Sequence, residues 1–184
     1  MQLKTSSGRS NNALFAGLRA LNATQPNIPL KIRFRAPGDE PWLRQLAQQY
    51  AVEHLMEFLP PLPYQAALGE MLRADGLLVM QAANCNEQIP AKVYEYFRAR
   101  RPIVALTDPA GDTGNLLRAS GIDWIAPLDD ATKIASLLEL VVPMMSQKSE
   151  PLADEAAVLA ASRQCRTETL VGLFDTVLQK SLSS

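Results

Sequence analysis

Short apolar runs recur along this chain, and segments of helical period separate them. LKIRFR (Leu30 to Arg35) alternates like a strand, and VEHLMEFL (Val52 to Leu59) does so in part. GLLVM (Gly76 to Met80), PIVAL (Pro102 to Leu106) and IDWIA (Ile122 to Ala126) are short continuous apolar runs, as buried parallel strands require. Between them, Asn12 to Asn22 sets Leu14, Phe15, Leu18 and Leu21 on one helical face. Trp42, Leu43 and Leu46 form a second such face ahead of Tyr50, and Tyr64 to Arg73, Thr113 to Ser120 and Thr132 to Val142 continue the series. A helix from Pro90 to about Arg98 carries proline in its first turn, where the missing N–H costs nothing. Strands that alternate with helices predict βαβ units with right-handed crossovers. The fold class is therefore α/β: a Rossmann-like, mostly parallel sheet with helices on both faces. Residues 1–145 form the Rossmann-like domain. SQKSEP (Ser146 to Pro151) reads as a linker, and residues 146–184 add two helices, Asp154 to Ala161 and Arg166 to Lys180.

Composition narrows the function. A length of 184 residues suffices for one domain with a real core, and 47% apolar residues fit a soluble globular chain. The net charge of -1, with both signs interspersed, gives no electrostatic footprint for nucleic acid. No apolar run reaches the roughly 18 residues of a membrane span. The start, MQLKTSSGRS, lacks the apolar stretch of a signal peptide. Cys85 and Cys165 are read as free thiols in a reducing cytoplasm. A single histidine, His54, excludes a His-rich metal site, and it is read as a strand residue.

Ligands of such sheets sit at the C-terminal ends of the strands. Four polar loops qualify: Ser6 to Asn12, Ala36 to Glu40, Gln81 to Gln88 and Asp108 to Gly114. None carries G-x-G-x-x-G or a Walker pattern, so nicotinamide and P-loop readings lack support. Within NEQIPAKVYEYFRARRPIVALT, Glu87 and Glu95 stand eight positions apart, with Pro90 and Lys92 between them. Eight helical residues rise roughly 12 Å. That exceeds the roughly 5–9.5 Å of a paired acid and base on one glycosidic bond. It suits the two ends of an elongated ligand. One carboxylate can accept from ribose hydroxyls, the other from a sugar, and the helix N-terminus between them favours phosphate. The alternative is that both glutamates are solvated, with Glu95 merely following Lys92 by three positions.

The same stretch resembles the E-x7-E region of retaining bacterial glycosyltransferases of the GT-B fold (group 1, family 4-like). PAKVYEYFRARRPIVAL is similar to their pattern P-x-K-x-x-E-Y-…-G-R-P-I-x-A-L. TSSGRSNNALFAGLRALN resembles their phosphate-loop segment, and KIRFRAPGDE their second strand and glycine turn. LPYQAALGEMLRADGLLVM, GDTGNLLRASGIDWIAPLDDATKIASLL and SRQCRTETLVGLFDTVL resemble the segments that follow. The resemblance covers nearly the whole chain, but only the donor-binding half of such an enzyme. It implies a sheet of about six strands, the first of them shortened to MQLKT. It implies that Glu95 holds the ribose, Glu87 the donor sugar, and Arg9 the diphosphate. Lys92 is a weaker candidate, and Gly8 and Gly38 let backbone approach the nucleotide. Arg100 stands where the family has a glycine helix cap, so it must either enter the left-handed region or end the helix differently.

Two readings follow. In the first, the chain is the nucleotide-sugar-binding domain of a retaining glycosyltransferase that serves a glycan or lipid-linked acceptor. It uses a nucleoside-diphosphate sugar as substrate and no cofactor or metal. It needs a separate acceptor-binding domain, or self-associates, and transfers no sugar alone. Its place is the cytoplasm, with the inner face of the membrane as a second option. In the alternative, it is a non-catalytic nucleotide-binding or partner module. The base, sugar and acceptor stay open.

Overall fold

The computed structural model describes residues 8–147 and 152–182. Five strands appear among them, all parallel, in two sheets. One sheet pairs β1 (Ile32–Arg35) with β2 (Met56–Leu59), in register Ile32 to Met56. The other runs β3 (Leu77–Met80), β4 (Ile103–Leu106), β5 (Ile125–Ala126). The α/β class and parallel pairing agree with the sequence. The single sheet of about six strands does not. The described residues give two smaller sheets, and the sixth expected strand, MQLKT, lies outside them. Two further strands are shorter than expected. Glu53–Leu55 forms a 3-10 turn ahead of β2, and β5 keeps only Ile125–Ala126 of IDWIA.

Helices connect every strand to the next: α2 (Glu40–Gln49), α3 (Tyr64–Arg73), α4 (Ala91–Ala99) and α5 (Asp112–Ala119). Ahead of β1 lies α1 (Gly8–Thr24), and after β5 come α6 (Ala131–Ser146), α7 (Glu155–Ala160) and α8 (Arg163–Leu182). Local chemistry sets their starts. Asp39 Oδ1 accepts from the Trp42 N–H at 3.2 Å, with Pro41 in the first turn of α2. Asp130 Oδ1 accepts from the Lys133 N–H at 3.0 Å and caps α6. Arg100 ends α4 in the left-handed conformation, φ 51° and ψ 47°. Of the two outcomes open for a non-glycine cap, the chain takes the strained one.

The alternation of strand side chains divides the core in two. From β4, Val104 and Leu106 join a cluster with Phe15 and Leu18 of α1, Leu46 of α2, and Ile134 and Leu138 of α6. Ile32 and Met56 belong to this same cluster, so it spans both sheets. Ile103 and Ala105, on the opposite face of β4, pack with Val79, Val93, Phe97, Leu117 and Ile122. All four residues of β4 are therefore buried, as a central parallel strand requires. Close approach of α1 to α6 depends on Gly17: a Cβ there would meet Ala131 O at 2.9 Å and the Ile134 side chain.

Candidate binding edge at the ends of β3 and β4

Two strands of the three-stranded sheet, β3 and β4, are each followed by a polar residue that turns the chain into a loop. Gln81 follows β3 and is only 7% exposed, and Thr107 follows β4 and is buried. The Gln81 amide ties three segments together. Its Nε2 donates to Cys85 O at 2.7 Å and Gln88 O at 2.6 Å, and its Oε1 accepts from Thr107 Oγ1 at 3.1 Å. Thr113, in the first turn of α5, donates through Oγ1 to Gln88 O at 3.1 Å. A buried carboxamide satisfied on both its oxygen and its nitrogen fixes the backbone it holds.

Asn86 makes the second tie. Its Nδ2 donates to Asp108 Oδ2, and its carbonyl accepts from the Asp112 N–H at 2.9 Å. Asp108 also accepts from the Ala110 N–H at 2.8 Å, a local Asx turn. Gly114 lets α5 lie against this loop: a Cβ there would meet Asp108 O and Pro109 O, both at 2.7 Å. Arg118 donates from Nη2 to Pro109 O and from Nη1 to Asn115 Oδ1, the latter at 3.2 Å. The loops after β3 and β4 are thus one hydrogen-bonded rim.

The expected site residues divide by position. Glu87 is exposed on the β3–α4 loop, two residues beyond a 3-10 turn (Ala83–Cys85). Lys92 and Glu95 are exposed on α4. None of the three forms an ion pair with another described residue. The helix begins only at Ala91, so the span from Glu87 to Glu95 is part loop and part helix, and a helical rise over all eight positions does not apply. Pro90, at the N-cap, offers no side-chain acceptor to the first N–H groups of α4. That end keeps its positive potential. Beside Glu95, Tyr96 has its phenol pushed up, first by burial and then by the Glu95 charge.

Gly38 lies exposed in the β1–α2 turn. A Cβ there would meet nothing within 4 Å, so packing does not demand glycine. Ala36, two residues earlier, has φ 48°. Gly8 and Arg9 open α1, so the loop expected from Ser6 to Asn12 is helical from Gly8 onward. The Arg9 side chain lies outside the described residues, as do Ser6 and Ser7. The loop expected to reach Gly114 gives way to α5 at Asp112.

His54 sits in the 3-10 turn rather than on a strand, and its Nε2 pairs with Asn22 Oδ1 at 3.0 Å. Both cysteines are free thiols. Cys85 serves the rim through its carbonyl. Among the described residues, no three His, Cys, Asp or Glu side chains gather as a metal site, and no helix is long and apolar enough to cross a membrane. Sequence reasoning found both loops but missed Gln81, Asn86, Thr107 and Thr113. The available signal was a hydrogen-bonding side chain at the first position after each buried run, Gln81 after Met80 and Thr107 after Leu106. No protein-family model matches the chain, and no curated protein does.

Proposed function

We propose that this chain is the nucleotide-sugar-binding domain of a retaining glycosyltransferase, acting with an acceptor-binding domain on a glycan or lipid-linked acceptor. The observation that carries the reading is the pair of exposed, unpaired carboxylates, Glu87 and Glu95, on either side of the uncapped N-terminus of α4. They stand at the C-terminal end of parallel strands, where such folds take ligands. In this reading Glu95 accepts from two ribose hydroxyls, and the α4 N-terminus meets a phosphate. Glu87 accepts from the sugar, and Lys92 adds positive charge at the first turn. Arg9 and the Gly8 backbone approach the diphosphate, and the open space at Gly38 admits the nucleotide. The hydrogen-bonded rim fixes the backbone at Asn86 and Gln88, on either side of Glu87, before ligand arrives, which lowers the ordering cost of binding. The domain alone holds a donor but cannot position an acceptor, and positioning supplies much of the rate.

Calorimetry with UDP and GDP tests this. The wild type binds at least one of them. Glu95→Ala loses charge-assisted bonds of about 1.5–3 kcal/mol each before compensation. Arg9→Ala weakens the diphosphate while leaving the nucleoside nearly unchanged. Equal binding by wild type and Glu95→Ala would remove the ribose assignment. Incubation with labelled nucleotide sugars and a cell-envelope extract tests the enzyme claim: the chain alone yields no acceptor-dependent transfer.

A further inference from the structure

Half of α8 has no counterpart in the core. Its first turn is fixed: Ser162 Oγ accepts from the Cys165 N–H at 3.2 Å, and the Arg166 guanidinium lies 4.3 Å from the Tyr94 ring centroid. Beyond it, Leu170, Val171, Leu173, Phe174, Val177 and Leu178 are 48–61% exposed. At about 100° per residue these six share one arc of roughly 160°. Asp175, Thr176 and Gln179 occupy the remaining face. This is a core-facing pattern on a helix that faces water. In proteins most helical stability comes from packing an amphipathic face rather than from propensity. Large solvent-facing apolar patches mark association surfaces.

We propose that α8 is a self-association helix, and that its apolar face is covered by α8 of a second copy. Three observations favour that occupant. The stripe is self-complementary: an antiparallel pair centred on Phe174 sets Leu170 opposite Leu178 and Val171 opposite Val177, apolar against apolar. Its charges are mixed, with Arg163, Arg166 and Lys180 against Glu168 and Asp175, a net of one positive charge. It therefore lacks the excess of Lys and Arg by which a helix binds an anionic membrane surface. Six large side chains at about half exposure offer several hundred Å² per copy, so two copies approach the roughly 1,000 Å² of a specific interface.

Light scattering coupled to size exclusion, over a micromolar concentration series, tests the proposal. The wild type has the mass of two chains at the upper end. The double variant Leu173→Lys/Phe174→Lys has the mass of one chain, a weakening of about tenfold or more. Leu140→Lys, which changes an equally exposed leucine on α6, leaves the dimer intact. A cooperative thermal unfolding transition in each variant confirms that the core folds, with any loss of far-ultraviolet helicity confined to the α8 variant. A wild type that stays monomeric throughout, as a membrane-bound helix or one covered by a different domain would, overturns the proposal. So does a dimer that survives the α8 double substitution, or one that Leu140→Lys dissolves.

Discussion

Strand β4 buries all four of its residues, whereas β1, equally long and equally parallel, buries only Ile32. The two sheets are held together by correspondingly different forces. Around β3 and β4 the core is apolar on both faces, and buried amides and hydroxyls fix the strand ends. Around β1 and β2 much of the cohesion is electrostatic and exposed. Arg33 pairs with Glu57 at 2.7 Å and with Glu70 at 2.9 Å, and Arg35 pairs with Glu70 at 2.6 Å. Phe34 and Phe58 stack at 5.7 Å beneath Arg44, whose guanidinium lies 4.8 Å from the Phe58 ring. No residue of α3, which supplies Glu70, is buried. A rigid rim needs packing and satisfied buried polar groups beneath it. The β3–β4 half has the packing and, apart from a buried Asn86 Oδ1 that meets no donor, hydrogen-bonded polar groups, so that half is the one suited to hold side chains for a ligand.

The contrast predicts unequal costs for equal truncations. Phe97 is fully buried against Val79 and Ile103, so Phe97→Ala destabilises the protein by about 3–5 kcal/mol. Phe58→Ala, at a partly exposed ring, costs at most about half as much. Urea unfolding of both variants measures the difference, and equal costs would erase the distinction between the two halves. Gln81→Met keeps the volume but removes one hydrogen bond each from Cys85 O and Gln88 O, which keep the Gln88 N–H and the Thr113 hydroxyl, and leaves the buried Thr107 hydroxyl without its acceptor. The expected loss is about 1–3 kcal/mol, with faster amide exchange across the β3–α4 loop than across β1.

The electrostatic half responds to pH. Burial tends to raise the Glu70 carboxyl, but hydrogen bonds from Arg35 and then Arg33 outweigh it and hold it below the ordinary value. A lowered folded value means that the stabilisation is present above the ordinary carboxylate range. It is lost as the pH falls below 4.5 through the folded value. Glu70→Gln therefore costs about 0.2–1 kcal/mol near neutrality and nothing at the acid end. A cost independent of pH would assign Glu70 to packing instead. An effect of similar size, and of opposite sign, belongs to Arg100. Glycine removes the left-handed penalty and loses only an exposed pair with Glu155 at 3.1 Å. Arg100→Gly should raise stability by about 0.5–1 kcal/mol in thermal melts.

The buried half is also the half most legible in sequence. GLLVM and PIVAL are continuous apolar runs because both faces of their strands are covered, and a continuous run needs no register to be recognised. VEHLMEFL misleads because its first half is not strand: Val52 and Leu55, three positions apart, are buried at a 3-10 turn ahead of β2. Tyr64 to Arg73 is legible as a helix although none of its residues is buried, because its own periodicity survives without a core. The site is legible only as loops. The sequence places Glu87 and Glu95 near a helix start, but a rim made of Gln81, Asn86, Thr107 and Thr113 depends on two strands lying side by side. No local pattern reports that neighbourhood.

The most direct test of the account is an amide chemical-shift titration of the isotopically labelled protein with UDP and GDP. The account predicts that the largest shifts fall on the β3–α4 loop and the first turns of α4, residues 86–95, with a second group at the start of α5. It predicts that Glu95→Ala abolishes both sets together. Shifts confined to the β1–β2 half, or none with either nucleotide at millimolar concentration, would contradict it.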